Sequence, residues 1–113
     1  MTALSQSNSE RIRELNDSFR QTFTGGRVMV TDGVDALSAE ATAEVLQNVR
    51  SFDRFDRDND PHGEHDFGNF EIAGERFFFK IDYYDMAMEG GSENPADPAK
   101  TTRVLTVMKA EEY

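Results

Sequence analysis

Ile12, Leu15, Phe19 and Phe23 recur at steps of three and four residues. That spacing describes one apolar face of an α-helix, with Arg11, Arg13, Glu14, Asp17 and Arg20 expected on the other side. Asn8 or Ser9 is placed to cap its first turn, and Thr24-Gly25-Gly26 ends it. A short β-prone run, Arg27–Thr31, follows, and Asp32-Gly33 reads as a turn. Val45, Leu46, Val49 and Phe52 then predict a second amphipathic helix, ending near Phe52 to Arg54. Ser38 is its N-cap, and Glu40 places a negative charge beside the positive end of the helix dipole.

The period then changes from helix to strand. Asn69–Ala73 alternates, meets Gly74, and continues as Glu75–Tyr84, which reads as a hairpin. Phe77, Phe79, Ile81 and Tyr83 share one face of that strand, and Phe78, Lys80, Asp82 and Tyr84 the other. The segment from 85 to 100 is rich in Gly, Pro, Ser, Asn and acids and reads as a surface loop. Thr101–Lys109 is a last strand, expected at an edge, where it is free to pair with a second subunit in a homo-oligomer. Helices followed by strands predict an α+β fold, with two helices packed on one face of a three- to four-stranded antiparallel sheet. Residues 1–113 read as a single domain whose first eight residues are frayed.

Composition narrows the function. The chain has 113 residues, no cysteine and a formal net charge of −10. Without thiols there are no disulfides, thiolate metal sites or Cys nucleophiles. The acidic balance argues against direct nucleic-acid binding, which needs Lys and Arg to displace counterions, and suits cations or a basic protein partner. No apolar run reaches the roughly 20 residues of a membrane span, and no signal peptide is evident, so the expected location is cytoplasmic.

The candidate chemistry sits between the second helix and the hairpin. Asp56-Arg-Asp-Asn-Asp-Pro-His-Gly-Glu-His-Asp-Phe-Gly68 contains five acids and the only two histidines of the chain. His62, His65 and Asp66 offer imidazole and carboxylate ligands of the kind that hold a divalent transition metal, although Pro61 and Gly63 exclude a helical zinc motif. Asp56, Asp58 and Asp60 open like a calcium loop, but Pro61 and Phe67 occupy the positions where an EF-hand needs Gly and Glu. A metal-free reading makes His62 or His65 a base, with Asp82 or Asp85 orienting it and Lys80 or Tyr83 stabilising charge; an enzyme of either kind would use His62, Glu64, His65 and Asp66 with Asp82 nearby. Against these stands a structural reading. In it, Asp58, Asp60 or Asp66 accepts backbone amides or pairs with Arg54, Arg57, Lys80 or Arg103, the histidines donate to carboxylates, and the loop is nailed to the sheet. Acids spread over both long loops also suit a surface that imitates nucleic acid toward a basic protein.

Leu15-Asn16-Asp17, Gly25–Met29, Asn59–Gly68, Lys80–Asp85, Arg103–Thr106 and Glu112-Tyr113 together resemble a bacterial family, the domain of unknown function numbered 3768. The resemblance implies an accessory role of the kind carried on mobile elements, such as countering host defence or adjusting plasmid maintenance. It assigns no activity. The residues favour an uncharacterised acidic interaction protein, with a small enzyme, metal-dependent or not, as the alternative.

Overall fold

The computed structural model describes residues 7–113. Helix α1 (Asn8–Thr22) starts at Ser7, one residue before the predicted caps. Ser7 Oγ accepts from the Glu10 amide, and the Glu10 side chain accepts from the Ser7 amide, a reciprocal capping box. Ser7 and Asn8 therefore belong to the ordered helix, and the rest of the segment expected to fray lies outside the described residues. Phe23 closes the helix in the left-handed region at φ 57°.

Strand β1 (Arg27–Val30) leads into α2 (Asp32–Asp35), a single helical turn where the sequence predicts only a reversal. Helix α3 (Ala39–Ser51) is capped by Ser38 as expected. The hairpin consists of β2 (Phe67–Ile72) and β3 (Glu75–Tyr84). Its two-residue turn places Ala73 and Gly74 at φ 52° and 85°, the handedness that matches strand twist. Strand β4 (Thr102–Lys109) precedes a closing 3₁₀ turn, Ala110–Glu112.

The four strands lie in the order β1-β4-β3-β2, so the fold is α+β with a mixed sheet. β4 runs antiparallel to β3, but β1 runs parallel to β4. This corrects the antiparallel expectation, and it moves β4 from the edge to the interior. The period of two is the same for either direction. Only a short turn fixes an antiparallel pair, and none joins β1 to β4. The edges are β1 and β2.

Both long helices cover one face. Phe19 of α1, Val34 of α2, and Val45 and Val49 of α3 meet Phe70, Phe77, Phe79, Ile81, Leu105 and Val107 from the strands. Gly68 keeps this layer closed, because a Cβ there would collide with the rings of Phe79 and Phe52. Among the described residues, none of α1, α2 and α3 covers the opposite face, which carries Met29, Phe67, Phe78, Lys80, Asp82 and Thr106. There Lys80 and Asp82 pair with each other at 3.0 Å. They do not pin the charged loop, as the structural reading expected.

Candidate functional site

The loop between α3 and β2 is built on two aspartates. Asp56 Oδ1 accepts the amides of Asp58 and Asn59 at 2.9 and 3.0 Å, and Asn59 returns a bond to the Asp56 amide. Four residues on, buried Asp60 accepts the amides of Glu64 and His65 at 3.0 and 3.1 Å. Those two bonds hold the Pro61–Glu64 reversal and set His65 in the left-handed region at φ 58°. A non-glycine residue there costs on the order of 1 kcal/mol, so side-chain contacts must hold it.

They come from α1 and from Phe55. His65 Nδ1 lies 2.8 and 3.1 Å from the two oxygens of Asp17, so this nitrogen carries a proton, since a carboxylate only accepts. Nε2 faces Asp60 Oδ2 at 3.7 Å, beyond hydrogen-bond length. The imidazole stacks on Phe55 with centroids 3.8 Å apart and planes 5° from parallel. Asp17 is shared, because Arg20 Nη2 donates to it at 2.9 Å. Arg20 is only 2% exposed, and its Nη1 donates to the carbonyls of Val49 and Phe52, capping the end of α3. Its Nε is buried without a hydrogen-bond partner, and the guanidinium carbon lies 5.3 Å from the Phe55 centroid and 5.8 Å from that of Phe79.

A second buried arm starts one residue earlier on the helix. Asn16, fully buried, donates to the Glu64 carbonyl at 3.0 Å and to the Tyr83 hydroxyl at 2.8 Å, and accepts from Arg103 Nε at 2.8 Å. Tyr83 in turn donates to the Glu64 carboxylate at 2.9 Å. Burial raises the Tyr83 hydroxyl well above its ordinary pKa, and the Asp66 and Glu64 charges add to this while the Asn16 bond partly opposes it. The phenol is therefore kept as a donor. Burial also lowers the Arg103 pKa, and its second arm bonds the Pro95 carbonyl. Arg13 reaches the Gly63 carbonyl at 3.2 Å.

The predicted site residues thus separate. Glu64 and His65 converge on α1. His62 is exposed. Asp66 is half-buried, and its pKa is raised by burial first and then by the Glu64 and Asp60 charges. Asp82 points to the other face of the sheet, since it alternates with Tyr83. Among the described residues, no group of three or more His, Cys, Asp or Glu is arranged to hold a metal ion. None of Arg54, Arg57, Lys80 and Arg103 forms an ion pair with the loop acids among the described residues. The cations and amide that hold the loop are Arg13, Arg20 and Asn16. Their sequence signal is the polar pair Asn16 and Arg20 at four-residue steps from Ile12, on the apolar stripe itself rather than opposite it.

The comparisons with known proteins agree with the sequence on one point. The family described as Protein of unknown function (DUF3768) matches residues 30–112. The chain belongs to that family. The match spans β2, β3, β4 and the whole charged loop of this DUF3768 protein, while α1 with Asn16, Asp17 and Arg20, and all of β1 but Val30, lie before it. No curated protein and no solved structure matches the chain. Among the described residues, no helix is long and apolar enough to cross a membrane.

Proposed function

We propose that this DUF3768 protein is a small acidic accessory domain that binds a protein, the partner being basic and contacted through the loop from Asp53 to Asp66. The observation that carries this reading is a division of labour within the loop. Asp56, Asp60, Glu64 and His65 are spent on internal bonds, whereas Asp53 and Asp58 are exposed acids outside that framework. Asp85, Glu89, Glu93 and Asp97 of the second long loop extend the same sign of charge. Such a surface steers a cationic partner and discriminates against like charge. A role on a mobile element, against a host defence or a DNA-binding protein, would be one setting for it.

The test is capture of a partner at low ionic strength, followed by titration of the captured protein. Reversing Asp53 and Asp58 to Lys is expected to weaken binding at least about tenfold, and added salt to do the same. His65→Gln is expected to leave affinity unchanged when corrected for folded fraction. Binding that ignores salt and the double reversal would reject the reading.

One observation favours a second reading. His65 borders a cleft of about 130 Å3 lined by Asp17, Arg20, Gln21, Phe52, Asp53 and Phe55. An imidazole oriented by a carboxylate at the rim of a cleft is the arrangement of a general base. Under this enzyme reading His65→Gln abolishes a turnover that Asp58→Lys alone spares.

A further inference from the structure

We propose that the segment Ala110–Tyr113 is a releasable strap, tethered by Glu112, that shields an aromatic patch on the helix-free face of the sheet.

The tether is a single exposed carboxylate with many partners. Glu112 Oε1 accepts from Thr31 Oγ1 at 2.6 Å and from the Lys109 amide at 2.9 Å, and Oε2 accepts from the Gly33 amide at 2.9 Å. These donors belong to two separate pieces of chain, the cap and first turn of α2 and the end of β4, so one side chain fixes where the segment lies. Gly33 is part of the fit. A Cβ there would fall 2.6 Å from Oε1 and 2.7 Å from Oε2. The bond from Thr31, the largest cause, and those from Lys109 and Gly33 lower the Glu112 pKa below the usual carboxylate range. The Lys109 ammonium is the charged group facing it, and that ammonium also pairs with Glu75 at 3.2 Å.

The next residue is the cover. The Tyr113 ring meets Phe78 edge-on, with centroids 5.3 Å apart and planes at 82°, and lies 6.0 Å from Phe67. Phe67 and Phe78 contact each other at 5.3 Å across β2 and β3, beside buried Met108. Tyr113 itself is 74% exposed. Apolar burial therefore contributes little to holding it. The position depends on the Glu112 bonds, which are at the surface and open to competition from water or another donor. A segment held by one exposed polar tether over a half-exposed aromatic pair is built to be displaced without unfolding the sheet.

The experiment compares Glu112→Gln and Gly33→Ala with the unmodified chain. Aromatic NMR spectra report Tyr113, whose ring protons are shifted by Phe78 and Phe67, and an environment-sensitive apolar dye reports the patch. Both variants are expected to bring the Tyr113 ring signals to unstructured values and to increase dye binding, with core methyl signals unchanged. In the unmodified chain the same Tyr113 shift is expected to appear as pH falls through the lowered Glu112 pKa, because protonation removes the acceptor charge. Gly33→Ala keeps the carboxylate and displaces it sterically, so it tests the tether independently if Glu112→Gln folds poorly. Tyr113 signals and dye binding that stay unchanged in both variants and on acidification would overturn the proposal. So would a loss of core methyl signals at the same acidity as the Tyr113 shift, since the segment would then be part of the fold and not a strap.

Discussion

Two loops of this molecule carry the same kind of sequence and are held in different ways. Both are long, acidic and rich in turn formers, and each contains Asp-Pro, at Asp60-Pro61 and at Asp97-Pro98. Asp60 is 8% exposed and accepts amides four and five residues ahead, so its carboxylate organises a whole reversal. Asp97 accepts the amide two residues ahead, an ordinary turn at the surface. The first loop is also gripped by Arg13, Asn16 and Asp17 of α1, with Arg20 behind Asp17, whereas the second is secured mainly within itself and by Arg103. Acidic density alone does not make a site. What distinguishes the loops is the set of side chains that another element sends into one of them.

The comparison breaks most severely at Arg20. Its guanidinium joins the end of α3 to Asp17, and through Asp17 to His65. Arg20→Ala leaves the carbonyls of Val49 and Phe52 without this donor and Asp17 without its buried cation. Removing one partner of a buried charged pair costs about 3–5 kcal/mol. Chemical denaturation should show a loss of that size, together with faster exchange of the Glu64 and His65 amides. A loss below about 1 kcal/mol would mean that the loop is held independently of α1.

The paired aspartates sharpen the same contrast. Asp60→Ala strands two amides in a part-buried turn and should cost about 1–3 kcal/mol. Asp97→Ala opens one exposed turn bond and should stay within about 0.5 kcal/mol. Equal costs in parallel denaturation curves would erase the distinction between the loops.

Much of this was legible beforehand and part was not, for definable reasons. The amphipathic spacing of α1 and α3, the Ser38 cap and the alternation in β3 are local signals, and they locate the elements. The loop at Asp56–Gly68 also stood out, because turn formers and acids leave no helical or strand period. Three things needed more than the dominant apolar pattern. The direction of β1 depends on a partner about 75 residues away, Arg27 lying opposite Val104. The role of Arg20 looks like that of any charged helix residue until its phase against Ile12 and Asn16 is compared. Asp82 does not reach the histidines because it alternates with Tyr83 onto the other face of the sheet, where Lys80 two residues away pairs with it, and which face an acid takes is set by the core rather than by its neighbours in sequence.

The smallest effect is a slope in pH, and it isolates Asp66, whose half-buried carboxyl is disfavoured as an anion. Burial, then the charges of Glu64 and Asp60, raise the Asp66 pKa in the folded state. The folded chain therefore holds this proton more tightly than the unfolded chain does. Stability from Asp66 is fully present below its unfolded value, near 3.9, and is lost as pH rises through the folded one. Asp66→Asn mimics the protonated form and has no such titration. Its melting temperature relative to the unmodified chain should rise between about pH 3 and pH 7 and then level off, the opposite sign to that expected for the exposed carboxylate of Glu112, whose pKa is lowered. A flat difference across that range would place Asp66 in water, and the first loop would then be held only through Asp60, Glu64 and His65.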